Sequence, residues 1–476
     1  MNYYKGYEMV IGLEVHVELK TRTKIFCRCK TDFGAAPNTQ CCPICMGMPG
    51  TLPVLNKKVV DYAIKAGTAL GCDIAKYSKQ DRKNYFYPDL PKAYQISQFD
   101  LPLCTNGHVE IETSEGTKNI GITRIHIEED AGKLVHDETY GTMIDCNRCG
   151  VPLIEIVSEP DIRSAQEAQA YVRKLRAILM YTGVSDCKMN EGSLRCDVNL
   201  SVRKVGDEQF GTRTEMKNIN SFQFIVKAIE YEYKRQVDAI ESGESIVQET
   251  RRFDASTGKT YTMRTKENAN DYRYFPDPDL PAIKISDEML SKLTSEIPAL
   301  PDERKKIYTQ KYGLTSYDAE MITSDISTAD YFETGAALTA YPKLLANLLI
   351  SEVFALCGDE EKIRISANNL AELAELLGNQ TVNSSTAKKL IKQMWEKDES
   401  PADIVKRDGL EQINDKALLS DICNKALAES AKSIEDYKNG KTAALKAIVG
   451  KVMSATGGKA NPVIVNSIIE ELVAKL

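Results

Sequence analysis

The segments of this chain that alternate apolar and polar residues lie before about Pro281, a region of helical period with few aromatics follows it, and that change decides which architectures are open. In VIGLEVHVELK, residues Leu13, Val15, Val17 and Leu19 alternate with Glu14, His16 and Glu18, the two-residue period of a strand with one buried face. SLRCDVNLSVR repeats the pattern, setting Leu194, Cys196, Val198, Leu200 and Val202 against Arg195, Asp197, Asn199, Ser201 and Arg203. After Pro281, segments such as NLAELAELL and TAKKLIKQMW carry apolar residues at the helical spacings i, i+3, i+4 and i+7. Strands segregated from helices imply an α+β fold. The expected layout is a body on a mainly antiparallel sheet over residues 1–295, then two all-helical domains, divided near Pro401 in EKDESPAD into residues 296–404 and 405–476. A chain of 476 residues is too long for one core, which suits this division.

Composition removes some function classes. With 42% hydrophobic and 27% charged residues and no run of about 18 apolar residues, nothing in the chain reads as a membrane span. MNYYKGYEMVIGLEV enters a strand pattern without an apolar signal core or an Arg/Ser-rich presequence, so a cytoplasmic location is expected. In that reducing compartment the thirteen cysteines should serve as thiols and metal ligands. A net charge of -7 gives no global electrostatic case for nucleic acid, which must rest on local patches.

Five of those cysteines lie in FCRCKTDFGAAPNTQCCPICMGMPG. Cys27 and Cys29 form C-x-C, Cys42 and Cys45 form C-x-x-C, and Gly34, Pro37 and Asn38 between them favour a loop that folds back. Two such knuckles supply four thiolates for tetrahedral Zn²⁺. Adjacent residues seldom both reach one metal, so Cys41 is the spare. Four protein ligands leave no open position, so the zinc would be structural.

Chemistry must then come from the strands. Glu14, His16 and Glu18 share one strand face, which fits either a solvated surface or a site. ITRIHIEEDAGK adds Glu128, Glu129 and Asp130, and in VPLIEIVSEPD Glu155 is the only charge within an apolar run, where an unpaired carboxylate would be costly. TRTEMKN contributes Arg213, Glu215 and Lys217. Carboxylates from separate strands with basic groups beside them suit oxygen-ligand cations such as Mg²⁺ and the phosphates they accompany. DRKNYFYPDLPKAYQISQFD interleaves Arg82, Lys83 and Lys92 with Tyr85, Phe86, Tyr87 and Tyr94, and NDYRYFPDPDLP repeats the mixture. Each fits a packed, turn-rich loop as well as a phosphate-and-base platform. Walker A, G-x-x-x-x-G-K-[ST], is absent, so any ATP is held by another device.

Taken together, VIGLEVHVELKT, the cysteine stretch, DRKNYFYPDLPKAYQISQFD, HIEEDAGK, VPLIEIVSEPDIRS, EGSLRCDVNLSVR, TEMKNINS and DYRYFPDPDLP closely resemble the GatB/GatE family of tRNA-dependent amidotransferase subunits, over residues 7 to 281. VMSATGGKANPVIVNSIIEEL resembles the family's C-terminal module, and the long insertion of the archaeal branch is absent.

The resemblance implies an ATP- and Mg²⁺-dependent phosphorylation of the side-chain carboxylate of mischarged Glu-tRNA(Gln) or Asp-tRNA(Asn), followed by displacement of phosphate by ammonia. It also implies a ligase of the glutamine-dependent carbon–nitrogen type. By resemblance, Glu14, His16, Glu129 and Glu155 hold Mg²⁺, with His16 an unusual ligand that can act through water. Arg195, Lys217, Arg82, Lys83 and Tyr85 are the candidates for ATP and its phosphates. No glutaminase nucleophile is evident, so the family's A and C subunits are the expected partners in a heterotrimer. In the tail, Lys438, Lys441, Lys446, Lys451 and Lys459 occur without an acid from Tyr437 to Lys459, which fits either a solvated helical face or a phosphate grip on tRNA. The competing reading is a noncatalytic, zinc-containing RNA-binding adaptor, which has no need of converging carboxylates.

Overall fold

The alternating segments assemble into one nine-stranded sheet in the computed structural model, which describes residues 3–113, 116–137, 139–265, 271–358, 362–438 and 444–474. Its strands, in chain order, are β1 (Tyr7–Glu18), β2 (Asp73–Ile74), β3 (Cys104–Thr113), β4 (Gly116–Glu129), β5 (Pro152–Ser158), β6 (Leu194–Lys204), β7 (Thr214–Lys217), β8 (Glu249–Asp254) and β9 (Lys259–Thr265). They lie in the order β9-β8-β7-β6-β1-β5-β4-β3-β2. All neighbours are antiparallel except β7 and β8. The sheet is thus mainly antiparallel, as the one-sided alternation requires.

Leu13, Val15 and Val17 of β1 are at most 1% exposed and face three helices, α1 (Lys57–Ala69), α2 (Ala165–Tyr181) and α3 (Phe222–Glu241). Each helix starts where a side chain satisfies a free backbone N–H. Asn56 accepts from Lys58, Ser164 from Glu167 and Ser221 from Phe224, the capping that orphan N–H groups demand. With the helices all packed into this one core, the other face of the sheet is left to the polar residues.

Two stretches far apart in sequence close over that region as a second, three-stranded sheet. Asp81–Asn84 pairs with Tyr94–Ser97 on one side and with Phe275–Pro276 on the other. The Asn84 side chain fixes the junction by donating to the carbonyls of Tyr272 (3.2 Å) and Arg273 (2.9 Å). The aromatic-basic segments of the sequence are therefore one built element.

The chain divides into two compact units, Met1–Pro301 and Asp302–Leu476, against the expected first boundary at residue 295. The second unit is helical throughout its described residues and has two apolar cores, one from Tyr308 to Val405 and one from Leu419 to Val473. The expected cut between residues 404 and 405 falls inside the helix Pro401–Asp408, whose Ile404 and Val405 belong to the first of these cores. The charge-rich stretch around Pro401 thus marks a helix start, with Ser400 as its cap. No described helix is long and apolar enough to cross a membrane.

Candidate active site

Strand register builds the site. Across β6, β1, β5 and β4, Arg195 stands opposite His16, His16 opposite Glu155, and Glu155 opposite His126. Directly paired residues share a face, so four strands present one polar row. His16 Nε2 lies 3.4 Å from Glu155 Oε2, and His126 Nε2 lies 3.5 Å from the same oxygen. Glu128, two residues beyond His126 and so on its face, brings Oε1 to 3.1 Å from His126 Nε2. Burial alone would raise the Glu155 carboxyl, yet hydrogen bonds from His126 and His16 hold it well below the usual range.

A second acidic group adjoins the row. Glu14 stands opposite Asp197, and Asn199 stands opposite Glu215. Asn199 Nδ2 donates to Glu14 Oε1 at 3.0 Å. Lys217 pairs with Asp197 and, at 3.0 Å, with Glu215 Oε1. Burial, followed by repulsion from Glu155 and Glu215, raises the Glu14 carboxyl. His16, Glu128 and Glu155 form one set of ligand atoms within 4.8 Å of one another, and Glu14, Asp197 and Glu215 form a second.

Above this acidic floor is a cavity of about 1340 Å³. Glu14, His16, Glu155 and Glu215 line its base, and Tyr85, Phe86, Tyr87 and Tyr272, in the segments adjoining the small sheet, line its wall. Lys83 also faces it: burial lowers its basicity, but Glu128 and Glu155 raise it above the ordinary range. The cavity therefore offers carboxylates for a cation, ammonium and guanidinium groups for phosphates, and rings for a base.

Several expected residues lie elsewhere. Glu129, next to Glu128 on β4, points to the opposite side, where it pairs with Lys92 and accepts the Ile96 N–H at 2.8 Å. Its carboxylate does not join the ligand sets. Arg82 reaches Asp277 (2.7 Å) and Asp279 (3.3 Å) and lies 4.4 Å from the Tyr94 ring centre, facing a separate cavity of about 180 Å³ that Lys92 and Glu129 also line. Arg195 shares the row but is held by Asp130, at 2.7 and 3.3 Å. Sequence reading missed His126 and the roles of Glu128, Asp197 and Glu215. The alternation carried the signal: once Glu155 is inward, Glu128 and not Glu129 has the parity of His126, its register partner.

Away from this face, Cys27, Cys29, Cys42 and Cys45 bring their sulfurs within 4.8 Å of one another. A tetrahedron with metal–sulfur bonds of about 2.3 Å has edges of about 3.8 Å, and Cys42 Sγ to Cys45 Sγ is 3.9 Å. The donors fit zinc. Cys41 stands aside, its thiol directed to the Asn38 carbonyl at 3.2 Å. Lys24, fully buried, places Nζ 3.5 Å from Cys45 Sγ and 3.2 Å from the Cys146 carbonyl. Cys146 and Cys149 complete a buried cysteine cluster with Cys45, a pairing that sequence spacing left unnoticed.

In the tail, Lys446 and Lys451 are exposed on the helix Leu445–Ala455, whose Leu445, Ile448 and Val452 face the core. Lys459 is half-buried. The Lys438 side chain and Lys441 lie outside the described residues.

Comparison with known proteins bears on this geometry. Residues 9–291 match the GatB/GatE catalytic domain, and residues 330–473 match the GatB domain. The chain is similar to a protein of Caldicellulosiruptor saccharolyticus named as the B subunit of aspartyl/glutamyl-tRNA(Asn/Gln) amidotransferase, at 56% identity over 99% of this chain and 100% of that one. Proteins of the same name from Caldanaerobacter subterraneus subsp. tengcongensis and Lachnoclostridium phytofermentans are 54% and 52% identical, covering 98% and 99% of this chain and all of their own length. With a matching catalytic domain spanning the sheet and its polar row, and relatives that align from end to end, this chain belongs to the GatB/GatE family.

Proposed function

We infer that this chain is the subunit of a tRNA-dependent amidotransferase that activates the side-chain carboxylate of a glutamyl or aspartyl group carried on mischarged tRNA(Gln) or tRNA(Asn). The observation that carries the reading is that His16 and Glu155, flanked in register by Arg195 and His126, lie on the floor of a cavity walled by aromatic and basic residues. A carboxylate oxygen is a poor leaving group until phosphorylated, and phosphoryl transfer calls for positioning and charge neutralisation more than covalent help.

The substrate carboxylate oxygen attacks the γ-phosphorus of ATP, giving an acyl phosphate and ADP. Ammonia then attacks the acyl carbon, phosphate leaves with the C–O bond, and loss of a proton yields the amide. Glu14, His16 and Glu155 are the residues that would hold Mg²⁺, whose charge offsets that of the phosphate oxygens, with Glu128 behind Glu155 and Glu129 turned away. Lys83 and Lys217 are the cations at the cavity that would face those phosphates, with Arg195 held beside His16. Tyr85, Phe86 and Tyr272 supply stacking surface for the base. The thiolate cluster is a closed structural zinc site.

Ammonia is delivered by a glutaminase A subunit, with a C subunit completing a cytoplasmic heterotrimer. An RNA-binding adaptor gains nothing from two clustered carboxylate sets, which would repel phosphates. Glu155→Gln keeps the side chain's shape and removes its charge, so it should lower ATP-dependent formation of the acyl phosphate roughly a hundredfold or more while tRNA affinity holds. Product formation at the parent rate would sink the assignment.

A further inference from the structure

His126 is 4% exposed and has a one-sided hydrogen-bonding pattern. Its Nε2 faces two carboxylate oxygens, Glu128 Oε1 at 3.1 Å and Glu155 Oε2 at 3.5 Å. Its Nδ1 is buried with no hydrogen-bond partner among the described residues. A histidine kept only to complete a core would be expected to have both nitrogens satisfied or to be replaced by an apolar residue. Here one end is spent on the two carboxylates and the other on nothing.

The surrounding hydrogen bonds show what that N–H accomplishes. Glu128 Oε1 also accepts from Ser97 Oγ at 2.7 Å, and its Oε2 has Gln95 Nε2 at 3.3 Å, so Glu128 is caged on both oxygens. Glu155 is approached by two imidazoles, and both reach the same oxygen, Oε2. Its Oε1 is left for a ligand at the cavity that Glu155 lines. Without a donor between them, two buried carboxylates this close would repel and rotate apart.

We infer that His126 is a positioning residue: its Nε2–H ties Glu155 Oε2 to the caged Glu128 and so presents Glu155 Oε1, in register with His16, to a divalent cation. The inference rests on the proposed cation site of this face. It assigns His126 no contact with substrate. It acts on the orientation of a ligand, the outer-shell role that typically sets metal affinity by about 10–100-fold.

The test is Mn²⁺ binding to the full chain, followed by electron paramagnetic resonance of free Mn²⁺ without ATP or tRNA, with the melting temperature recorded for each protein. Three variants separate the roles. His126→Ala removes the donor. His126→Gln restores one, since glutamine Nε2 is as many bonds from Cα as histidine Nε2. His126→Asn places its amide where Nδ1 was, out of reach of the two carboxylates. The expected result is Mn²⁺ affinity lowered at least tenfold by Ala and Asn and recovered to within about threefold by Gln, in an order that does not follow the melting temperatures. In the assembled enzyme, Ala should lower kcat and raise KM for ATP while leaving KM for mischarged tRNA unchanged. Parent-like Mn²⁺ affinity in His126→Ala, or Gln no better than Asn, overturns the inference. Glu155→Gln serves as the control: if it binds Mn²⁺ as the parent does, the cation site itself falls and the inference with it.

Discussion

Glu18 ends β1 with its carboxyl against Asp130, and burial followed by repulsion from Asp130 pushes it up to about 8 from an ordinary 4.5. Asp130 stays ionised because Arg195 and Arg148 hold it down against its own burial. Between pH 4.5 and about 8 the unfolded chain releases a proton that the folded chain keeps. Stability from Glu18 is therefore full below pH 4.5 and is lost as pH rises through about 8. Glu18→Gln keeps a donor to Asp130 and has no proton to lose, so its urea midpoint should match the parent's near pH 5 and exceed it at pH 9. Parallel curves from pH 5 to 9 would show that Glu18 ionises normally. At this scale the sequence was legible in part. Alternation shows that Glu14, His16 and Glu18 share a face and that His126 and Glu128 share one, but nothing local to IHIEEDAG says that this second face meets Glu155. Only the pairing of β4 with β5 decides it, and pairing is a long-range property.

Among the elements, the cysteine knuckles were the most legible because a metal site fixes residue type and spacing together. One zinc per chain is expected, and Cys42→Ser should release it and lower the melting temperature; a metal-free chain melting at the parent temperature would contradict this. The aromatic-basic loops were legible as composition but not as structure. Arg82 and Lys83 are adjacent in sequence, yet the strand Asp81–Asn84 sends them to opposite sides, Lys83 to the large cavity and Arg82 to Asp277. Asp277 is 3% exposed, so Arg82→Ala leaves a buried carboxylate uncompensated, at a cost of about 3–5 kcal/mol. Amide hydrogen exchange should then accelerate in residues 271–277 and 81–84, with ATP binding affected only through that loosening. Faster exchange confined to other segments would mean that the ion pair does not hold the small sheet together.

For the whole molecule, the question is how an acidic chain holds a large polyanion. Its net charge of -7 disfavours general attraction, so the grip must be local. In the last apolar core, Lys446 and Lys451 project from a helix whose Leu445, Ile448 and Val452 face inward. The packing also says where this module can be removed cleanly. Val405 belongs to the preceding core, whereas Asp415 caps the first helix of the last one, so a cut before Asp415 spares the earlier packing that a cut at residue 405 would damage. Deleting residues 415–476 should raise KM for mischarged tRNA and flatten its dependence on salt, by close to one unit of logarithmic slope for each phosphate no longer neutralised. Charge pairing of this kind ignores base sequence, so mischarged tRNA(Gln) and tRNA(Asn) should lose affinity equally. ATP hydrolysis and zinc content should be unchanged, because the cavity proposed for ATP and the four-cysteine cluster both lie in the Met1–Pro301 unit. Identical salt slopes for the shortened and full-length enzymes would place these lysines on a merely solvated face, and loss restricted to one tRNA would point to base recognition in place of a phosphate grip.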